Sequence, residues 1–368
     1  MTTIPPNKRK FVTLILTESC NLACTYCYEH YKTKNTMPLE VAKKIIDDEM
    51  TKQDFSELVC FDFFGGEPFL EFEKIKTLVE YIKNKKFDKP WELFVGTNGT
   101  LVHHEIQDWL IENLGVVNCG LSLDGTKFMH DINRSNSFDM IDLDFFLKTY
   151  PNIIIKMTVS IQTLPHIAEG VKFLHQRGFK SITCNLAYGI DWSEPNNKET
   201  LEKQLNELIE FYLENPSLKP CSMLNFPIES VCLTQQNTTQ KFCGAGTQMH
   251  TYDVKGDMYP CHFFTPFSAG EKSADAKNIK FSNTFPRCVL DKKCQNCIAV
   301  DICPTCYGSN FLSSGNIFSK TEDFCNLTKI MIRATALLKA KKWENGLLKL
   351  SPPEEKQLLE SIIILENL

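Results

Sequence analysis

Three cysteines, Cys20, Cys24 and Cys27, stand in one short polar loop, Cys20-Asn-Leu-Ala-Cys24-Thr-Tyr-Cys27, directly behind the apolar run Phe11 to Leu16. The C-x3-C-x2-C spacing brings three thiolates within reach of one metal centre and supplies no fourth. A structural zinc site wants four protein ligands. A cubane [4Fe–4S] cluster held by three cysteines keeps one iron open to a small molecule. An open iron is a place for chemistry. Chance packing of three core thiols fits poorly with so polar a loop and so tight a spacing.

Further polar signals close other strand-like runs. Phe64-Gly65-Gly66-Glu67-Pro68 ends the second. Two glycines let backbone carbonyls approach a ligand closely, and the carboxylate beside them makes an acceptor-only surface suited to an ammonium group. On its own, Gly-Gly is a common turn. Thr97-Asn98-Gly99 follows the third run and reads as a good turn. Ser122-Leu-Asp124-Gly125 follows the fourth, with His130-Asp-Ile-Asn-Arg134 behind it. Alone, Asp124-Gly125 is a hairpin turn and Arg134 a surface charge. A fixed guanidinium also suits a carboxylate ligand, through charge-assisted hydrogen bonds.

Such loops need a frame. Strand-like runs fall at Phe11–Leu16, Leu58–Phe64, Glu92–Val95, Val116–Leu123, Ile153–Ile161 and Ser181–Leu186. Between them lie helical periods. One places Leu39, Ala42, Ile45, Ile46 and Met50 on a single face, with Pro38 suited to the first turn. Others cover roughly 71–85, 103–114, 138–149 and 165–177. Six β–α units in series predict a parallel sheet with right-handed crossovers, either doubly wound or closed into a barrel. Ligands of such sheets collect at the carboxyl ends of the strands, where these motifs stand.

The 368 residues exceed the usual single-domain size, so at least two domains are expected. The net charge of −5 gives no reason to expect nucleic acid or an anionic membrane as a partner. The N-terminal residues lack the apolar stretch of a secretory signal, and no run approaches the ~20 apolar residues of a membrane span. Sixteen cysteines at metal-type spacings then point to a cytoplasmic metalloprotein rather than a disulfide scaffold. Cys60, Cys119 and Cys184 lie in strand patterns and read as small core residues. Residues 1–195 are expected to form the β–α domain, 196–242 a helical bridge opened by Lys198 to Leu213, 243–330 a cysteine-rich domain, and 331–368 C-terminal helices. Ser351-Pro-Pro-Glu354 has the form of a capping box for a helix over 352–366.

The cysteine-rich stretch holds eight of the sixteen cysteines and few regular periods, as in domains built around metal. Cys243-Gly-Ala-Gly opens it and Gly256-Asp-Met-Tyr-Pro-Cys261 follows. Then come Cys294-x2-Cys297-x5-Cys303-x2-Cys306 and finally Cys325. Paired C-x2-C knuckles suit tetrahedral zinc, which would make the chain a zinc-binding interaction module.

Taken in order, the cysteine triad with Tyr26 before its last member, the Gly-Gly-Glu turn and the Ser122–Arg134 stretch resemble the signature of radical S-adenosylmethionine (SAM) enzymes, especially peptide modifiers and anaerobic sulfatase-maturating enzymes. The resemblance covers most of residues 10–190 and implies a partial (β/α)6 barrel. It implies a [4Fe–4S] cluster on Cys20, Cys24 and Cys27. SAM would be held through its amino group at Gly65, Gly66 and Glu67, its carboxylate at Arg134, its carboxylate or ribose at Ser122, and its adenine at Tyr26. The C-terminal order resembles the seven-cysteine SPASM domain, which implies two auxiliary [4Fe–4S] clusters and three in all. Cys294, Cys297, Cys303 and Cys325 would hold one; Cys243, Cys261 and Cys306 would hold the other. The C-x2-C spacing before Cys306 departs from the family's C-x3-C. A fourth ligand for that second set is missing, since Met249 stands where sulfatase maturases carry a cysteine. Cys221, Cys232, Cys288, the less suited His250, or a substrate thiolate are the alternatives.

By the same resemblance, one electron from the reduced cluster cleaves SAM to methionine and a 5′-deoxyadenosyl radical, which takes hydrogen from an unactivated C–H bond. Sulfatase maturation, the conversion of a peptide cysteine or serine to formylglycine, uses an aspartate after the Gly-x4-Cys cysteine. Here that residue is His262, an imidazole that can still take protons. This shifts the expectation towards a maturase that forms a thioether or carbon–carbon crosslink in a ribosomally made, cysteine-containing precursor peptide. A reductant such as flavodoxin or ferredoxin is implied. With the triad beginning at residue 20, no fused leader-recognition domain of the usual size fits ahead of it. The leader would be bound by the barrel, the C-terminal helix or a separate protein.

Overall fold

The computed structural model describes residues 4–233 and 237–368. The chain divides into two compact units that interleave in sequence. The first comprises Met1–Ser122, Arg134–Ile153 and Gly244–Ser282; the second comprises Leu123–Asn133, Ile154–Cys243 and Asn283–Leu368.

In the first unit, strands β1 (Arg9–Thr17), β2 (Leu58–Gly65), β3 (Trp91–Thr97) and β4 (Val117–Ser122) alternate with helices α1 (Leu39–Thr51), α2 (Phe72–Asn84) and α3 (Glu105–Glu112). Neighbouring strands of this series pair in parallel, as serial β–α units predict. Pro38 stands at the N-cap of α1, one residue ahead of the helix. From Val12 to Thr17 every residue of β1 is buried, the pattern of a central strand covered on both faces. Val12, Leu14, Ile15, Phe61, Phe63 and Leu93 form its core. The β1–β2 register runs from Arg9↔Leu58 to Ile15↔Phe64 and then shifts, so that Thr17 faces Gly65. That irregularity lies immediately before the cysteine loop.

The other edge of β1 pairs in parallel with a later strand, Met249–Tyr252, which in turn pairs antiparallel with Met258–Tyr259. Met249 and His250 are thereby strand residues opposite Phe11 and Val12. Near the start of β1, buried Lys10 pairs with Glu49 and Asp54, and the Tyr252 hydroxyl donates to Glu49 at 2.6 Å. This ionic cluster anchors the strand at the end opposite the cysteine loop.

In the second unit, β5 (Ile154–Val159) and β6 (Ser181–Leu186) pair in parallel. Helix α4 (Lys127–Asn133) opens the unit; after α5 (Leu143–Thr149) of the first unit, α6 (Ile167–Gln176) and α7 (Asn196–Glu214) follow. Asp124 is fully buried. It accepts from the Thr158 amide at 2.8 Å and from the Asn133 side chain at 3.1 Å. The Asp-Gly pair is therefore a tie between α4 and β5, not a hairpin turn. A 23-residue helix, Glu322–Glu344, packs on α7 and carries Cys325 in its first turn. The expected last helix runs Pro352–Leu365, and its capping box is formed. Within it Leu365 is buried while Ile363 is exposed. No helix among the described residues is long and apolar enough to cross a membrane.

Candidate active site

The cysteine loop is held from three sides, all within the first unit. From below, the Gly66 amide donates to the Thr17 carbonyl at 3.1 Å and the Glu67 amide to the Ser19 carbonyl at 3.0 Å. A Cβ added at Gly65 would lie 2.3 Å from the Thr17 oxygen; one at Gly66 would lie 2.3 Å from the Ser19 oxygen and 2.8 Å from Cys20 Cβ. The glycines are thus needed so that the end of β2 can press against the backbone of the triad loop. That close approach is a different use from the ligand-facing one expected of them.

From β3, the Asn98 side-chain amide donates to Asn21 Oδ1 at 2.9 Å, and Asn21 donates to the Thr100 hydroxyl at 2.7 Å. Asn21 lies between the first two cysteines. The Thr97-Asn98-Gly99-Thr100 turn is therefore a clamp on the loop, a role that no signal short of the fold discloses. From the third side, the Ala23 amide donates to the Ser135 hydroxyl at 3.0 Å, and Arg134 places its guanidinium over the Tyr26 ring, 5.4 Å from the centroid. Arg134 is buried, not a surface charge. Ser135 and Asn136 both hold positive φ, 58° and 53°, a costly geometry that turns the chain back beside the loop.

Glu67 lies inside this frame. It is 1 % exposed, and its carboxylate accepts from the Thr97 hydroxyl at 2.8 Å, the Asn98 amide at 2.8 Å and the Phe69 amide at 3.2 Å. Burial pushes the carboxyl up to about 7 despite these bonds. These bonds join β2 to β3. Glu67→Ala should therefore cost chiefly folding stability, since each buried donor left unpaired costs about 1–3 kcal/mol. Arg134→Ala should act the other way, weakening SAM binding by about ten- to a hundredfold with less effect on folding. Calorimetric SAM titration beside urea unfolding separates the two; a reversed order of effects would refute both roles.

The thiols of Cys20, Cys24 and Cys27 are half-buried, and the Leu22 amide points at Cys20 Sγ from 3.4 Å. Burial raises the Cys20 thiol, and the nearby Lys32 ammonium opposes it. Three soft thiols with an amide donor and a local cation are a donor set that fits an iron–sulfur cluster. Among the described residues, no three of His, Cys, Asp and Glu meet in single-ion geometry.

His262 lies in the same unit. Its ring stacks on Phe64, centroids 5.2 Å apart, and contacts Tyr28 at 5.4 Å and Phe263 at 5.0 Å. Phe64 precedes the Gly-Gly turn and Tyr28 follows the triad. Ser268 Oγ lies within hydrogen-bond distance of both the His262 carbonyl, at 2.9 Å, and Glu29, at 2.6 Å. Glu29 is buried, its other oxygen lacks a partner, and burial pushes its carboxyl up to about 8 against the Ser268 hydrogen bond. A carboxyl raised in the folded state keeps its proton while the unfolded chain ionises near 4.5, so stability is lost as pH climbs between those values. The iron-free protein should accordingly weaken from pH 5 to pH 8, and Glu29→Gln should flatten that slope in thermal unfolding. An unchanged slope would refute a buried, protonated Glu29.

All sixteen cysteines are free thiols. In the second unit, Cys294, Cys297, Cys303 and Cys325 line one cavity together with Lys320 and Thr328. Cys243 and Cys306 also belong to this unit, near the half-buried Tyr188, while Cys261 belongs to the first. Two suggested fourth ligands are engaged elsewhere. Cys221 is fully buried, its backbone amide donates to the Tyr212 hydroxyl at 2.9 Å, and burial raises its thiol. Cys232 points at the Gln357 carbonyl of the last helix, 3.6 Å away. Cys288 is exposed. Cys60, Cys119 and Cys184 are buried strand residues, as expected.

The family model described as the radical SAM superfamily matches residues 14–203. The chain belongs to that superfamily, which makes it an enzyme and implies a [4Fe–4S] cluster and SAM. The reading as a zinc-binding interaction module falls with that membership. The cysteine-rich C-terminal region fits a SPASM-type domain. An uncharacterised protein of Methanocaldococcus jannaschii, MJ0907, is 30% identical over 74% of this chain and 91% of its own length. The cysteine-type anaerobic sulfatase-maturating enzyme of Clostridium perfringens is 26% identical over 67% of this chain and 72% of its own. A solved structure of native anSMEcpe with bound AdoMet and Cp18Cys peptide superposes with a TM-score of 0.71 at 19% identity, covering 92% of this chain and all of that one. These likenesses bear out the α/β fold class read from the motifs.

Proposed function

We propose that this enzyme is a cytoplasmic radical SAM maturase that acts on a ribosomally made, cysteine-containing peptide and forms a thioether or carbon–carbon crosslink. The observation that carries the reading is the convergence of the Cys20–Cys27 loop with the Gly65-Gly66 turn, the Asn98 clamp and the Tyr26–Arg134 pair. When bound, SAM and the reduced cluster supply a 5′-deoxyadenosyl radical that abstracts hydrogen from the substrate. Arg134 would take the SAM carboxylate, the backbone at Gly65 and Gly66 the amino group, Ser122 the carboxylate or ribose, and Tyr26 the adenine. The rings of Tyr28, Phe64 and Phe263 would screen the space around His262 from water, leaving its imidazole to receive a proton from the peptide.

Two further clusters belong to this proposal, one on Cys294, Cys297, Cys303 and Cys325 and one on Cys243, Cys261 and Cys306. With Cys221 and Cys232 occupied elsewhere, the open position of the latter falls to a peptide thiolate, with Cys288 as the protein alternative. In thioether formation the peptide would lose one hydrogen atom to the radical and one proton and one electron from the sulfur–carbon coupling, and an auxiliary cluster would supply the acceptor for that electron. Flavodoxin or ferredoxin would supply the initiating electron. The leader would be held by the barrel, the last helix or a separate protein.

Formylglycine formation is the second reading, favoured by the Clostridium perfringens relative and disfavoured by the imidazole of His262. Mass spectrometry after turnover under reducing conditions separates them. A precursor peptide two hydrogens lighter supports the crosslink; an aldehyde on a sulfatase-type peptide supports the other. Neither product from either peptide would overturn the proposal.

A further inference from the structure

Lys320 is a buried cation whose charge is unanswered by any carboxylate among the described residues. Only 6 % of it is exposed. Its ammonium donates to Thr328 Oγ1 at 2.8 Å and to Cys303 Sγ at 3.4 Å, and it lies 5.2 Å from the centre of the Phe324 ring. Among the described residues, no Asp or Glu forms an ion pair with it, whereas Lys293 and Arg287 of the same unit both have carboxylate partners. Lys293 instead fixes the Lys320 backbone, donating to its carbonyl at 2.5 Å. An isolated ammonium in such a place is costly unless an anion neutralises it. The ammonium lines the cavity formed by Cys294, Cys297, Cys303 and Cys325, so the groups that can supply that anion are thiolates.

We propose that Lys320 supplies the positive charge that balances the cluster held by Cys294, Cys297, Cys303 and Cys325 and thereby raises its reduction potential. The proposal rests on the cluster assignment of the preceding section. Reduction adds negative charge to a group already negative, and a cation in hydrogen-bond reach of one ligand sulfur favours the reduced state. Thr328, which donates onward to the Phe324 carbonyl at 2.7 Å, holds the ammonium in place.

The test uses the full chain with Cys20, Cys24 and Cys27 replaced by alanine, so that only auxiliary clusters are read. Iron, acid-labile sulfide and the midpoint potential by paramagnetic resonance are measured for this parent and for Lys320→Met and Lys320→Arg added to it. Lys320→Met is expected to retain its iron and shift one midpoint negative by about tenfold in the reduction equilibrium, or ~59 mV for one electron. Lys320→Arg is expected to restore most of the shift. Loss of that cluster in Lys320→Met with retention in Lys320→Arg would equally support a requirement for the charge. An unchanged midpoint in Lys320→Met, or equal loss of iron in both variants, would overturn the role. A parent without auxiliary iron would instead overturn the cluster assignment, and the proposal with it.

Discussion

Replacement of Cys20, Cys24 or Cys27 by alanine is expected to abolish reductive cleavage of SAM while leaving the C-terminal cysteines their iron. A three-cysteine site has no spare ligand, so loss of any thiolate leaves a second iron without protein support. The fold should persist, because the loop is fixed by Asn21, Asn98, Ser19 and Ser135 through bonds that do not involve the thiols. Iron should therefore fall by about one cluster's worth, with little change in thermal unfolding of the iron-free protein. Each of the three variants should behave alike, whichever cysteine is removed. Wild-type iron content together with continued release of 5′-deoxyadenosine would remove the triad from its assigned role.

How much of this was legible beforehand varies with the physics of each element. All six strand-like runs became strands with bounds shifted by no more than two residues, because a covered parallel strand writes its burial directly as an apolar run. The 138–149 period was less exact: a 3-10 turn at Phe138–Met140 precedes the helix Leu143–Thr149. The start of the long helix at Glu322 was hidden, since Cys325 drew that stretch into the metal pattern. The residues proposed for the SAM site were visible as types and spacings. Their division of labour was not. That Glu67 faces Thr97 and Asn98, and that Gly65 and Gly66 face Thr17 and Ser19, depends on which strands become neighbours. Asn98 was read only as part of a turn and Asn21 went unnoticed, because an asparagine in a polar loop carries no further signal until its partner, 77 residues away, is brought beside it.

The same neighbour relation makes Gly66→Ala the most informative single-atom change in the first unit. Its new methyl would meet the Ser19 oxygen at 2.3 Å and Cys20 Cβ at 2.8 Å, distances that packed atoms do not tolerate. The obstacle is backbone on one side and a cluster ligand on the other, so relief requires the triad loop to move. Overpacking of this kind costs about 1–3 kcal/mol of stability, which a chain of this size should survive. The cluster is less forgiving, since a ligand sulfur displaced by a fraction of a bond length no longer shares one cubane with its partners. Gly66→Ala should thus remain folded by circular dichroism yet lose the triad's iron and nearly all SAM cleavage, much as Cys20→Ala does. Gly189, where an added Cβ meets nothing within 4 Å, provides the control: alanine there bears only its own backbone strain and should keep both. Full iron and full SAM cleavage in Gly66→Ala would show that the β2 turn does not set the position of Cys20.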